Sequence, residues 1–101
     1  MPSFEKHCAD CVNELGKPYE AVHLWLDELF KRFGPAHRAI RHNSKGIEKV
    51  RRHWGDEAAK AAEIHIIADE GRVPEVNDIF KFRLAIKSEI MDAFLQEYGG
   101  Y

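Results

Sequence analysis

The sequence predicts an all-α protein, a compact bundle of about five helices forming one domain over residues 1–101. Three observations carry this. The chain is punctuated at "GKP" (16–18), "GP" (34–35), "WGD" (54–56) and "GRVP" (71–74), each gap setting a Gly stop beside a Pro or Asp start. Between the gaps, apolar residues recur at helical spacing. No segment sustains the period-two alternation of a half-buried strand.

The elements follow in order. Helix 1 is expected from Phe4 to Leu15 behind a Ser3 cap, with Phe4, Cys8, Cys11 and Leu15 as its apolar stripe. Helix 2 is expected from Tyr19 to Phe33, facing inward through Tyr19, Val22, His23, Leu26, Leu29, Phe30 and Phe33. Helix 3 is expected as one rod from Ala36 to Trp54, with Ala39, Ile40, Asn43, Ile47, Val50 and Trp54 inward. Gly46 within it costs about 1 kcal/mol of helix propensity without breaking it. Helix 4 is expected from Glu57 to Glu70 behind Asp56. Its face of Ala58, Ala61, Ala62, His65 and Asp69 is small enough for a neighbour to approach closely. The last segment, Glu75 to Tyr98, has a broad apolar face through Val76, Ile79, Phe80, Ile90, Met91, Phe94 and Tyr98. Arg83 and Lys87 interrupt that face, which suggests a break near Lys81 or cations reaching inward to carboxylates.

The composition narrows the function classes. The 101 residues suffice for one hydrophobic core without disulfides. No apolar run approaches the roughly 20 residues that span a bilayer. "MPSFEKHCADC" at the start holds acids and no apolar signal segment, so a cytoplasmic protein without membrane association is expected. Cys8 and Cys11 fall on the apolar stripe of helix 1 and read as buried thiols rather than as a redox pair or half a zinc site. There is no phosphate-binding loop, nucleophile elbow or dinucleotide fingerprint, and no catalytic residue is assigned.

Two stretches carry chemistry. "HLWLD" (23–27) and "HIIAD" (65–69) each set a His four residues before an Asp. Positions i and i+4 share a helix face, so His23 pairs with Asp27 and His65 with Asp69 on inner faces. A buried carboxylate needs a partner. If helices 2 and 4 face each other, two imidazoles and two carboxylates converge. That is either a divalent-metal shell or a metal-free polar network. Mixed nitrogen and oxygen donors suit zinc, manganese or iron. His37 and Glu63 are further candidates, as ligands or as groups orienting a ring.

The third feature is charge. The chain totals −2, yet between Lys31 and His53 eight Lys and Arg residues face one acid, Glu48, a local net of +7. Arg38, Arg41, His42, Lys45 and Lys49 are the candidate anion-binding residues of this stretch. An anionic ligand or a protein partner fits them better than nucleic acid, because stacking aromatics are absent apart from the inward Trp54.

"HLWLD", "HRAIRHNSKGI" and "AEIHIIADEGRVP" together resemble a family of small uncharacterised, histidine-rich bacterial and phage proteins. Its members show an IHEW-D stretch, then RHRALRHH followed by GI, then EQHV with an ED-x-GRIP tail. The pattern falls on His23, Trp25 and Asp27; on His37, Arg38, Ala39, Arg41, His42, Gly46 and Ile47; and on Glu63, His65, Asp69, Gly71, Arg72 and Pro74. This chain departs at Asn43, where the family often has a second His. The resemblance implies that the polar positions matter and supplies no reaction.

Two classes of function follow. One is a small interaction or regulatory protein with a polar core, possible in a phage context. The other is a metal-dependent hydrolase of a phosphate ester or nucleotide, with Arg38, Arg41 and His42 holding the substrate. The wide stripe Ile90, Met91, Phe94, Leu95 and Tyr98, and the outward Leu24 and Trp25, predict a homodimer.

Overall fold

The computed structural model describes residues 3–75 and 88–99. It is an all-α bundle, with no strand among the described residues. The helices are α1 (Phe4–Leu15), α2 (Glu20–Asp27), α3 (Phe30–Phe33), α4 (Arg38–Arg41), α5 (Ser44–Trp54), α6 (Asp56–Glu70) and α7 (Ser88–Tyr98). A 3-10 turn, Gly34–His37, links α3 to α4.

Helix α6 is the axle. Ala58, Ala59, Ala61 and Ala62 are all buried, so this helix is covered on more than one side. Helices α5, α1 and α2 pack around it. Val50, Cys11, Val22, Leu26 and Ile66 fill the core they form. Short alanine side chains allow the surrounding helices to come close, which brings polar groups from separate elements within reach of one another. A second cluster joins Ile40 of α4 to Ala93 and Phe94 of α7, flanked by Leu29, Phe33, Ile90 and Tyr98. Part of the α7 stripe is therefore covered from within the chain. The expected break near Lys81, the roles of Arg83 and Lys87, and Val76, Ile79 and Phe80 lie outside the described residues.

Helix 1 has the expected bounds. Ser3 Oγ accepts from Lys6 N at 3.1 Å, and Gly16 closes the helix in the left-handed region. Its buried face differs from expectation. His7 and Cys11 are buried, while Phe4 is exposed and Cys8 half-buried. Cys11 Sγ lies 3.9 Å from the Ala61 carbonyl oxygen, and burial pushes its thiol up to about 11.

Two long rods of the sequence reading are each divided. The first breaks after Asp27, where the Trp25 carbonyl receives Arg41 Nη1 at 2.6 Å. The ladder loosens to an i→i−3 bond at Glu28, and the chain restarts at Phe30. The second breaks at Asn43, whose backbone is extended. Asn43 serves both sides of the break. Its Oδ1 accepts from Gly46 N at 3.0 Å, capping α5. Its Nδ2 donates to the carbonyls of Ala39 and Ile40 at 3.2 and 3.1 Å, closing α4. This is the hydrogen-bonding that Asn offers a helix start. Gly46 then packs directly on the end of α4: a Cβ there would sit 1.9 Å from the Arg41 carbonyl oxygen. Gly46 is thus required by a close approach, which is why its helical cost is tolerated. Trp54, expected inward, is partly exposed and meets Trp25 edge-on.

Candidate metal centre

Five elements deliver the site. Helix α2 ends on Asp27. Helix α4 ends at Arg41, with His42 as its C-terminal cap. Helix α6 contributes His65 and Asp69 from one face. The turn before α4 adds His37, and α1 adds His7. The imidazoles of His7, His23, His37, His42 and His65 are all buried.

One oxygen or nitrogen from each of Asp27, His42, His65 and Asp69 lies within 4.8 Å of the other three. Five of the six separations are short. Asp27 Oδ1 is 3.4 Å from His42 Nε2 and 3.3 Å from His65 Nε2. Asp69 Oδ2 is 3.0 Å from His42 Nε2 and 3.2 Å from His65 Nε2. The two imidazole nitrogens are 3.2 Å apart. A tetrahedral ion with bonds of about 2.0–2.1 Å holds its donors about 3.3–3.4 Å apart. Those five edges are close to such a shell, and the sixth, between the two carboxylates, lies within 4.8 Å.

Hydrogen accounting sharpens this. His23 Nε2 lies 2.8 Å from the Pro18 carbonyl oxygen, which can only accept. The proton of His23 therefore sits on Nε2. Burial foremost, then the neighbouring His65, lowers the His23 pKa to about 4, so the ring is neutral and its Nδ1 holds a lone pair. His65 Nδ1 is 2.9 Å from that lone pair and must donate to it. The chain of donors fixes His65 as the Nδ1–H tautomer, with Nε2 facing the cluster. Tyr19 supports the chain from outside. Its left-handed backbone (φ 55°) starts α2 directly after Pro18, whose carbonyl turns back toward His23. His37 repeats the pattern. Its Nδ1 donates to the Gly34 carbonyl at 2.8 Å, which leaves Nε2 facing Asp27 Oδ1 at 3.2 Å.

The electrostatics demand positive charge at the centre. Burial acts to raise the carboxyls of Asp27 and Asp69, but hydrogen bonds from the surrounding imidazoles pull both far below the usual range. Both are ionised. Burial acts to lower His65, but its bonds to Asp27 and Asp69 outweigh burial and raise it. In the absence of another cation, a proton on His65 Nε2 supplies the charge. That single proton has three partners within 3.3 Å and can satisfy one of them well. Asp69 Oδ1 has no aligned hydrogen bond, although His7 Nε2 is 3.3 Å away and Arg38 Nη2 3.8 Å away.

Comparison with family models, with curated proteins and with solved structures gave no match. The chemistry therefore rests on the side chains.

The sequence-derived set is brought together in part. Asp27, His65 and Asp69 share the cluster. His23 stands behind His65 rather than among the four donors. Glu63 is exposed on α6 and takes no part. His37 contacts Asp27 from the side. His42, read from the sequence as an anion-binding residue, is a donor of the cluster. Arg41 and Lys49, placed in the same anion-binding group, find their anions within the chain. Arg41 is buried and holds Glu97, Glu28 and the face of Trp25. Lys49 pairs with Glu97, and Arg38 with Glu70. Lys45 is exposed, 5.9 Å above the Tyr98 ring. The sequence reading missed His7, which stacks on His65 with ring centroids 3.6 Å apart. The signal was available: His7 and Cys11 stand at the same four-residue spacing as the two His/Asp pairs.

Proposed function

We propose that the protein binds one divalent transition metal through Asp27, His42, His65 and Asp69. The observation that carries this is the convergence on His65 Nε2. Two carboxylate oxygens and a second imidazole nitrogen surround an atom with one lone pair or one proton to offer. An ion equidistant from all four satisfies every one of them. The near-tetrahedral edges favour zinc, with manganese and iron as the alternatives for mixed nitrogen and oxygen donors. His37 is placed to join a shell that expands.

The role that fits best is that of a metal-stabilised interaction or regulatory protein. Four protein donors complete a tetrahedral shell, which is the character of a structural site. The cations that would hold a phosphate ester are engaged elsewhere, Arg41 by Glu97 and Glu28. No helix among the described residues is long and apolar enough to cross a membrane.

Elemental analysis of tag-free protein is the test. About one equivalent of metal is expected, removed by a chelator with a fall in melting temperature. A ligand at about 1,000 times its dissociation constant stabilises by about 4 kcal/mol. A chain with less than about a tenth of an equivalent, and no gain in stability when metal is added, overturns the proposal. Turnover of phosphodiesters or nucleotides by the manganese-loaded protein would instead establish the hydrolase reading.

A further inference from the structure

Among the described residues, one donor of the cluster meets solvent. The side chains of His42 and His65 are fully buried and that of Asp69 is 1% exposed, but that of Asp27 is 38% exposed. Among the described residues, Asp27 is the one donor of the cluster that an external molecule can reach. Asp27 lies in the floor of a surface groove of about 620 Å³, beside His23. Its walls are Phe4, Leu24 and Phe30, which are 39%, 61% and 44% exposed. Three of the large apolar side chains that the described chain leaves in water thus line the groove with Asp27.

We infer that this groove binds a small molecule with an apolar body and an anionic oxygen head, of the carboxylate or hydroxamate class, whose head coordinates the metal beside Asp27. The inference rests on the metal reading above. Size supports it, since ligand pockets run from about 300 to 1,000 Å³. The walls supply burial for an aliphatic or aromatic body. Charge supports the head. Glu28, at the same rim, is held by Arg41 at 3.0 Å. Lys31 on the rim has no ion pair among the described residues, and it joins the metal in attracting an anion. Zinc sites that take an external ligand can expand from four donors to five.

Cobalt(II) is the probe, because its visible bands report coordination number. The cobalt-loaded full chain is titrated with acetohydroxamate and with octanohydroxamate. Both should shift the bands toward a five-coordinate pattern. Octanohydroxamate should bind at least about 30-fold more tightly, since each buried methylene is worth about fourfold. Leu24→Lys, on an exposed wall position, should keep the cobalt bands and abolish the chain-length advantage. Failure of cobalt to give any protein-bound bands removes the metal reading and this inference with it. Normal cobalt bands that neither compound alters, or that both alter with equal affinity, overturn the groove alone. A third outcome also overturns it: a mass in light scattering of twice 11.7 kDa that Leu24→Lys reduces to one chain, which would make the groove a contact between two copies.

Discussion

Replacing His23 by leucine tests whether the imidazole behind the cluster governs the one inside it. In the native arrangement His65 Nδ1 donates to His23 Nδ1 at 2.9 Å, and His23 passes its own proton to the Pro18 carbonyl at 2.8 Å. Leucine fills a similar volume and accepts nothing. With metal on Nε2, the His65 proton must stay on Nδ1, now aimed at hydrocarbon. A buried unsatisfied donor costs about 1–3 kcal/mol. Loss of the group that orients a metal-bound imidazole typically costs about 10–100-fold in affinity. The two ranges overlap at 1.4–2.7 kcal/mol on the scale of about 1.4 kcal/mol per tenfold. Without metal the cost is smaller, because His65 can release its Nδ1 proton and keep the one on Nε2, which serves Asp27 or Asp69, 3.3 and 3.2 Å away.

The signature is therefore a loss of affinity that exceeds the loss of metal-free stability. Zinc competition against a chromophoric chelator gives the first quantity. Urea unfolding in the presence of chelator gives the second. His23→Gln is the control, since its amide can accept from His65 and donate to Pro18. It should lie within about tenfold of the wild type, above the leucine variant. Equal zinc affinity in His23→Leu and wild type, within about threefold, would refute the reasoning. Either His65 would not present Nε2 to a metal, or His23 would not set its tautomer.

Asp69→Asn removes one charge from the cluster and should lower zinc affinity by more than the 10–100-fold expected at His23; wild-type metal content in this variant would exclude Asp69 as a donor. Gly46→Ala should destabilise by about 1–3 kcal/mol, as inserted atoms do in a packed interior, because its Cβ meets the Arg41 carbonyl oxygen at 1.9 Å; helix propensity alone gives the opposite sign, a gain of about 1 kcal/mol, so a raised melting temperature would count against the α4–α5 contact. The metal-free protein should lose stability as pH falls from 6.5 to 4. His23 titrates at about 4 when folded, so over that window the unfolded chain binds a proton that the folded chain refuses, for at most about 3 kcal/mol. The raised His65 contributes its full stabilisation below 6.5, and the two lowered aspartates lose theirs only below about 3.9. A flat profile between 6.5 and 4, or a slope that persists in His23→Leu, would contradict the assignment.

The helical class and the bounds of α1 could be read from punctuation and spacing, because caps and stops are local chemistry. The His65/Asp69 pair could be read for the same reason, whereas His23 and Asp27 share a face and take other partners. Spacing of four says that two side chains share a face; it does not say which ring nitrogen points where. That is why His23 reads as a donor in the sequence and stands behind His65 in the fold. His42 was hidden by a different cause. On an unbroken rod from Ala36 to Trp54 it reads as one of the anion-binding candidates, with Arg38, Arg41, Lys45 and Lys49. The break at Asn43 turns it into the cluster instead. The residues that make the break are local, Asn43 as a cap and Gly46 as a contact, yet an Asn inside an apolar-periodic helix has many innocent readings. The pairing of Arg41 with Glu97 spans 56 positions and had no local signal at all.

The broken helices and the buried charge are two sides of one requirement. A pair of carboxylates at the centre of a small bundle is tolerable only with cations or hydrogen-bond donors on several sides. A continuous helix offers donors along one stripe, all from one direction. Ending α2 on Asp27 and α4 at His42 lets side chains arrive from separate directions around the two on α6. Arg41 is common to both breaks. Its guanidinium donates to the Trp25 carbonyl, which otherwise keeps only the 3.4 Å bond from Glu28 N, and its own carbonyl lies against Gly46 where α5 begins. Glu97 of α7 holds that guanidinium in place. Helix α7 touches no atom of the cluster among the described contacts and still supports its geometry, through Arg41.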